Sequence, residues 1–292
     1  MSSFYEPLRG IFIPRNREDT RSPDRLRAHY LVERRIADRV RAARTPEERR
    51  AIFATMYDDL FAQVPDHPRI AAKGASSRER ERDLDWSMAQ LRPYLFDGCT
   101  FLEVGAGDCA LSARVAQRAG RVHAVDISRQ AQGKLPGNVS MVITDGRAID
   151  VAPGSVDVAF SDQLMEHLHP DDAIEQLRNI HRALKPGGVY MCVTPNRIYG
   201  PSDISAFFDD EARGFHLKEY TLGEMLEIFA RAGFPRAHVY IGARGVFVRC
   251  PSFVVRTLER VLGAMPPAVR RKVADLKVFR ALLGLRVAGI KG

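Results

Sequence analysis

The stretch Phe101-Leu102-Glu103-Val104-Gly105-Ala106-Gly107-Asp108-Cys109-Ala110-Leu111 limits what this chain can fold into more than any other. Four residues suited to a buried strand run into a glycine turn, and the turn runs into a helix start. A second apolar run, Val122-His123-Ala124-Val125-Asp126, follows and ends on an acid. Strand, glycine turn, helix and strand ending in Asp is the layout of a nucleotide-type ligand site at the carboxyl edge of a parallel sheet. Gly105 and Gly107 let the backbone approach a ligand closely. Gly-x-Gly-x-x-Ala fits formally at 105–110. Glu103, however, disfavours a pyrophosphate and suits a cationic amino-acid ligand bearing an ammonium and a sulfonium.

The rest of the chain supports an α/β sheet with a helical preface. Apolar periodicity predicts helices over 23–43 and from Thr45-Pro46-Glu47-Glu48, a capping box, to Pro65. A third covers 77–94, so residues 1–95 read as a helical N-terminal extension. After Gly98 strands and helices alternate. Strands are expected at 100–104, 121–125, 139–143, 156–160, 188–194, 238–243 and 284–291. Helices are expected at 109–119, 128–134, 170–184, 221–232, 253–263 and 267–281. Such alternation predicts a mostly parallel sheet covered on both faces.

Two further acids follow strands. Asp126 is placed to accept hydrogen bonds from two ribose hydroxyls, or else to cap the next helix. Asp145-Gly146 is placed to meet an adenine amino group, or else simply makes a turn.

Composition excludes some classes. No run of about eighteen apolar residues is present, so no membrane-spanning helix is expected. The N-terminus lacks a signal-peptide pattern, and Cys99, Cys109, Cys192 and Cys250 form no CxxC pair. A cytoplasmic protein with reduced cysteines is the expectation. The net charge of +8 is unevenly spread. Residues 1–50 hold thirteen Arg against eight acids, and 252–292 hold nine Lys and Arg against two acids, which leaves the 201 residues between them at −4.

Glu103-x-Gly105-x-Gly107, Asp126, Asp145, Ser161-Asp162-Gln163-Leu164-Met165-Glu166-His167 and Leu184-Lys185-Pro186-Gly187-Gly188 occur in this order. As a set they resemble the class I S-adenosylmethionine-dependent methyltransferases, small-molecule branch, which includes ubiquinone- and menaquinone-pathway enzymes. The resemblance covers about residues 98–245. It implies a Rossmann-like seven-stranded sheet of order 3-2-1-4-5-7-6 with the last strand antiparallel. It also implies a methyltransferase domain over 96–292, with a helical insertion at about 251–282 before the last strand. S-adenosylmethionine is the implied methyl donor, with Glu103, Gly105, Ala106, Gly107, Asp126, Ile127, Asp145, Gly146, Asp162 and Gln163 lining its site. Asp108-Cys109 departs from the family, where a small residue and a third glycine are common.

On the acceptor side, Glu166, His167 and His216 are the candidate catalytic residues, one histidine serving as general base for O-methylation. Asn196, Arg197 and Tyr199 are expected at the entrance. The acids near 166–172 favour a helix N-terminus, so no metal is assigned. The expected acceptor is a small molecule or a sugar, glycan or lipid-linked compound from a biosynthetic pathway. Nucleic acid is disfavoured by the negative central region. The basic C-terminal helices either pack on their own domain, the more usual explanation, or make peripheral contact with the inner membrane face. An RNA methyltransferase and a non-catalytic cofactor-binding protein stay open as alternatives.

Overall fold

A computed structural model describes residues 19, 21–68, 77–127, 134–243 and 245–292. One eight-stranded sheet organises it, made of β1 (Thr100–Val104), β2 (Arg121–Asp126), β3 (Val139–Ile143), β4 (Val156–Asp162), β5 (Leu184–Thr194), β6 (Arg236–Ala243), β7 (Val246–Cys250) and β8 (Leu285–Ile290). The strand order is β3-β2-β1-β4-β5-β8-β6-β7. The first five strands pair in parallel, and β8 runs antiparallel to both β5 and β6.

The expected order is therefore present with β8 as the strand between β5 and β6, but the strand count is eight rather than seven. The added strand β7 forms an antiparallel hairpin with β6 at the sheet edge. Gly242 permits that hairpin, because a Cβ there would collide with the Val246 carbonyl oxygen. Val246 and Val248 are exposed, so β7 lacks the burial that marks the inner strands.

Side chains alternate across each strand, so both sheet faces carry a core. Phe101, Val122, Val158, Phe160 and Met191 pack beneath Leu91 and Val115 on one face. Leu102, Val104, Val125, Ala159 and Tyr190 pack beneath Leu177, Ile180 and Phe229 on the other. The covering helices are α3 (Ser77–Leu91) and α4 (Ala110–Val115) on the first face, and α5 (Pro170–Ala183) and α6 (Leu222–Arg231) on the second.

Two N-terminal helices, α1 (Pro23–Ala42) and α2 (Pro46–Gln63), pack on each other through Ile36, Met56 and Leu60, with Phe215 completing the cluster. Their start signals act as sequence physics requires. Ser22 accepts from the Arg25 amide, and Thr45 and Glu48 form a reciprocal capping box. Arg49 of α2 grips the Asp172 carboxylate of α5 through Nε at 2.6 Å and Nη2 at 2.7 Å.

The C-terminal segment holds α7 (Ser252–Gly263), α8 (Pro267–Ala274) and α9 (Lys277–Leu283). The single helix expected over 267–281 is thus two: Leu276 is extended at ψ 138, and Arg280 reaches back to Asp275 at 3.2 Å. The expected helix at 128–134 falls mostly outside the described residues.

Candidate functional site

The glycine turn sits at the carboxyl edge of β1. Gly105 takes φ +80, and a Cβ there would lie 3.3 Å from a Leu164 methyl, so both conformation and space call for glycine. The Gly107 amide donates to Asp126 Oδ2 at 2.9 Å, joining the ends of β1 and β2. Cys109 occupies the place where the family often has its third glycine, and it takes the left-handed φ of 60 that a glycine would adopt cheaply. Asp108 is held by Arg80 of α3 at 2.5 Å. A helix placed in the N-terminal extension therefore touches this turn.

Glu103 is 7% exposed, and Ser112 Oγ donates to it at 2.5 Å. Burial pushes its carboxyl up to about 8, against the pull of that hydrogen bond. A carboxylate so desolvated is stabilised by a cation, which fits an ammonium or sulfonium ligand. Beside it, Asp162 is pushed up to about 6 by burial, and its Oδ1 has no hydrogen-bond partner among the described residues. Gln163 follows in the left-handed region at φ 53. Ala106 is buried behind the turn.

Around the corner, Asp145 Oδ1 accepts from the Arg147 and Ala148 amides at 3.1 and 2.9 Å. These bonds hold the carboxyl below its ordinary range despite burial. That oxygen serves the local turn, in line with the structural alternative. Gly146 and Ile127 nevertheless come together, since a Cβ on Gly146 would lie 3.2 Å from Ile127 Cγ2. Ile127 is 40% exposed.

The acceptor-side candidates converge. Leu164, in the turn that carries Glu166 and His167, reaches the glycine turn, its methyl 3.3 Å from where a Gly105 Cβ would lie. His216 arrives on the long loop after β5, and its ring meets that of His167 at 4.9 Å between centroids. One ligand atom from each of Glu166, His167 and His216 lies within 4.8 Å of the other two. Glu166 is fully buried, and its Oε2 accepts from Thr194 at 2.9 Å. Burial pushes its carboxyl up to about 7 against the attraction of His216. His216 Nδ1 contacts Glu219 Oε1 at 2.7 Å. Burial opposes charge on this ring, but Glu219, Asp203 and Glu166 together push it up to about 9.

Other expected residues have different places. Asn196 is buried and ties its loop to Glu259 at 2.7 Å and to the Leu283 carbonyl at 2.9 Å, so it holds the C-terminal helices rather than an entrance. His169 caps α5 through the Asp171 amide at 3.3 Å, and Asp172 is engaged by Arg49.

Several buried polar groups escaped sequence reasoning. Glu33 of α1 pairs with His29 at 2.7 Å and accepts from the Phe215 amide at 3.2 Å. The His29 and His67 bonds hold that carboxyl well below its ordinary range despite burial. Asp203 accepts from the His216 amide at 3.3 Å and is pushed up to about 6 by burial. Arg286 of β8 is fully buried over the Phe247 ring at 5.0 Å, and burial lowers it to about 10. Of these, only the i,i+4 spacing of His29 and Glu33 was a visible signal.

A family model described as a methyltransferase domain matches residues 101–188, from β1 to the Lys185-Pro186-Gly187-Gly188 turn. A probable S-adenosylmethionine-dependent methyltransferase of Mycolicibacterium smegmatis is 31% identical over 140 residues, 47% of this chain and 52% of that one. Residues 101–188 are thus similar in sequence to a methyltransferase domain. A ubiquinone biosynthesis O-methyltransferase of Pseudomonas paraeruginosa is 36% identical over 108 residues, 34% of this chain and 46% of the relative. The chain thus spans about half the length of the curated relatives it matches.

The fold recurs in solved structures. The Burkholderia thailandensis 1,6-didemethyltoxoflavin-N1-methyltransferase, crystallised with bound 1,6-didemethyltoxoflavin and S-adenosylhomocysteine, superposes with TM-score 0.50 at 18% identity, over 85% of this chain and 91% of that one. A putative methyltransferase complexed with the Haloferax volcanii Trm112 activator also gives 0.50 at 18% identity, over 73% and 90%.

Proposed function

We propose that the protein transfers a methyl group from S-adenosylmethionine to a hydroxyl of a small-molecule acceptor. What supports this reading is a buried Glu103 just ahead of the glycine turn, together with the cluster of Glu166, His167 and His216 on and beside the turn whose Leu164 reaches Gly105. The donor is assigned to Glu103, Gly105, Ala106, Gly107, Asp126, Ile127, Gly146, Asp162 and Gln163, with Asp145 shaping the turn beneath. Glu103 meets the cationic methionine end, and Asp126 meets the ribose.

Methyl transfer is an in-line displacement that needs alignment and a dry site more than bond-making side chains. The acceptor hydroxyl is assigned to the space beside Glu166, His167 and His216, which as a set ease the loss of its proton. A biosynthetic acceptor, free or attached to a sugar or lipid, suits the likeness to the ubiquinone-pathway relative. RNA is not favoured, because the net positive charge belongs to residues 1–50 and 252–292, and the 201 residues between them carry −4.

The test is labelled-methyl transfer from S-adenosylmethionine to a panel of catechols, hydroxylated quinone precursors and sugar nucleotides. Transfer to one class is expected, and Glu166→Gln should slow it about 100-fold or more with donor affinity retained. Undiminished transfer in Glu166→Gln, or transfer to RNA alone, would overturn the assignment.

A further inference from the structure

Two groups of metal-ligand side chains are buried among the described residues: His29, Glu33 and His67, and Glu166, His167 and His216. Hydrogen bonding separates them. Arg21 Nη2 lies 3.1 Å from His29 Nδ1 and can only donate, so that nitrogen must accept. A neutral imidazole accepting there carries its proton on Nε2, which faces Glu33 at 2.7 Å. His29 then has no lone pair to give a metal, and this first group is complete as a hydrogen-bonded brace between α1 and the loop at Phe215.

The second group has the opposite polarity. His167 Nδ1 lies 3.0 Å from the Phe215 carbonyl oxygen, which can only accept, so Nδ1 carries the proton and Nε2 the lone pair. The Glu219 carboxylate likewise accepts from His216 Nδ1 at 2.7 Å, so Nε2 is the nitrogen that a metal would take in exchange for a proton. A carbonyl or carboxylate behind each imidazole is the arrangement that fixes tautomer and ring direction in metal-binding histidines. His216 Nε2 and Glu166 Oε1 are both buried and have no hydrogen-bond partner among the described residues. The other Glu166 oxygen is steadied by Thr194 Oγ1 at 2.9 Å. Two imidazoles and one carboxylate thus converge, each oriented from behind.

We propose that Glu166, His167 and His216 hold a divalent transition-metal ion, with Glu219 and the Phe215 carbonyl as outer partners. Two nitrogen donors and one oxygen donor suit zinc, cobalt, manganese or iron, whereas magnesium and calcium prefer oxygen throughout. Three protein ligands leave coordination positions open, as at reactive rather than structural sites. The proposal deepens the methyl-transfer reading by naming what prepares the acceptor, and rests on that reading only for this chemical role. The acceptor hydroxyl oxygen fills an open position and its O–H proton leaves to water. The resulting oxyanion lone pair forms the O–CH3 bond, and the S–CH3 bond pair returns to sulfur, leaving a neutral thioether. No oxidant or reductant is required.

The test uses the full chain, stripped with a chelator and titrated with cobalt(II) followed by visible absorption, with calorimetric S-adenosylmethionine binding measured alongside. One ion per chain is expected, with a spectrum free of thiolate charge transfer, because Cys192 and the other cysteines lie outside the ligand set. His216→Gln and Glu166→Gln should abolish uptake. Glu219→Gln should weaken it about 10- to 100-fold, a result that still decides the matter if a ligand variant fails to fold. His29→Gln should bind normally, and excess magnesium should not compete. Absence of uptake by wild type, uptake lost in His29→Gln but kept in Glu219→Gln, or displacement by magnesium would each overturn the proposal. Cobalt uptake without S-adenosylmethionine binding would instead defeat the methyl-transfer reading and leave the metal site standing.

Discussion

Glu103 is the residue on which the donor site turns. Its carboxyl ordinarily titrates near 4.5 but is pushed up to about 8 in the fold, so the folded protein favours the protonated form. The stabilisation this gives is full below the ordinary value and is lost as pH rises through about 8. A cationic donor reverses the preference by favouring the carboxylate. S-adenosylmethionine binding near neutral pH is therefore expected to release up to one proton, with release vanishing well above the folded value. Calorimetry in buffers of different ionisation enthalpy measures this directly, and a buffer-independent heat would show that Glu103 does not face the donor. Glu103→Gln should weaken donor affinity about 10- to 100-fold, the usual worth of a hydrogen bond to a charged group.

At this scale, legibility followed sequence distance. Glu103, Gly105, Asp126 and the pair Glu166-His167 could be singled out because each lies at the end of a strand or in the turn just after one. His216 was visible through His-x-x-Glu. Glu33, Asp203 and Arg286 were not, because what buries them comes from remote parts of the chain: Glu33 meets Phe215, and Arg286 meets Phe247.

Among the elements, the helix starts were legible because capping is local chemistry. Thr45→Ala and Thr221→Ala should each cost about 1 kcal/mol in denaturant unfolding, and no change would mean that the capping boxes contribute nothing. The attachment of α2 to α5 was not legible. Arg49 and Asp172 have side chains only 4% and 5% exposed, and Arg147 stands 3.4 Å from the same carboxylate. Arg49→Ala leaves a buried charge short of a partner, and about 3 kcal/mol of stability should be lost, with Arg147 limiting the damage. A loss below about 1 kcal/mol would mean the pair behaves like a surface bridge. The strand set could be read because inner strands are buried on both faces. The edge strand β7 could not, since Val246 and Val248 are exposed and its pattern is that of a loop. The break at Leu276 was hidden because no Gly or Pro marks it.

Taken whole, the chain carries its net positive charge in its two ends, residues 1–50 and 252–292. On the C-terminal helices, Phe253, Val261, Val269, Leu276 and Val278 are exposed among Arg256, Arg260, Arg270, Lys272 and Lys277. No helix among the described residues is long and apolar enough to cross a membrane. Contact with an anionic lipid surface accounts for apolar and basic residues together, and would suit a lipid-linked acceptor. Co-sedimentation with phosphatidylglycerol vesicles is expected at low salt, weakening steeply as salt rises. Failure to sediment at low salt would remove membrane contact from the account without touching the donor site. That site is tested most directly by calorimetric titration of the folded full chain with S-adenosylmethionine. The account predicts one molecule bound per chain, with affinity sharply reduced in Glu103→Gln. A folded protein that takes up no S-adenosylmethionine, or whose Glu103→Gln variant binds it equally well, would contradict it.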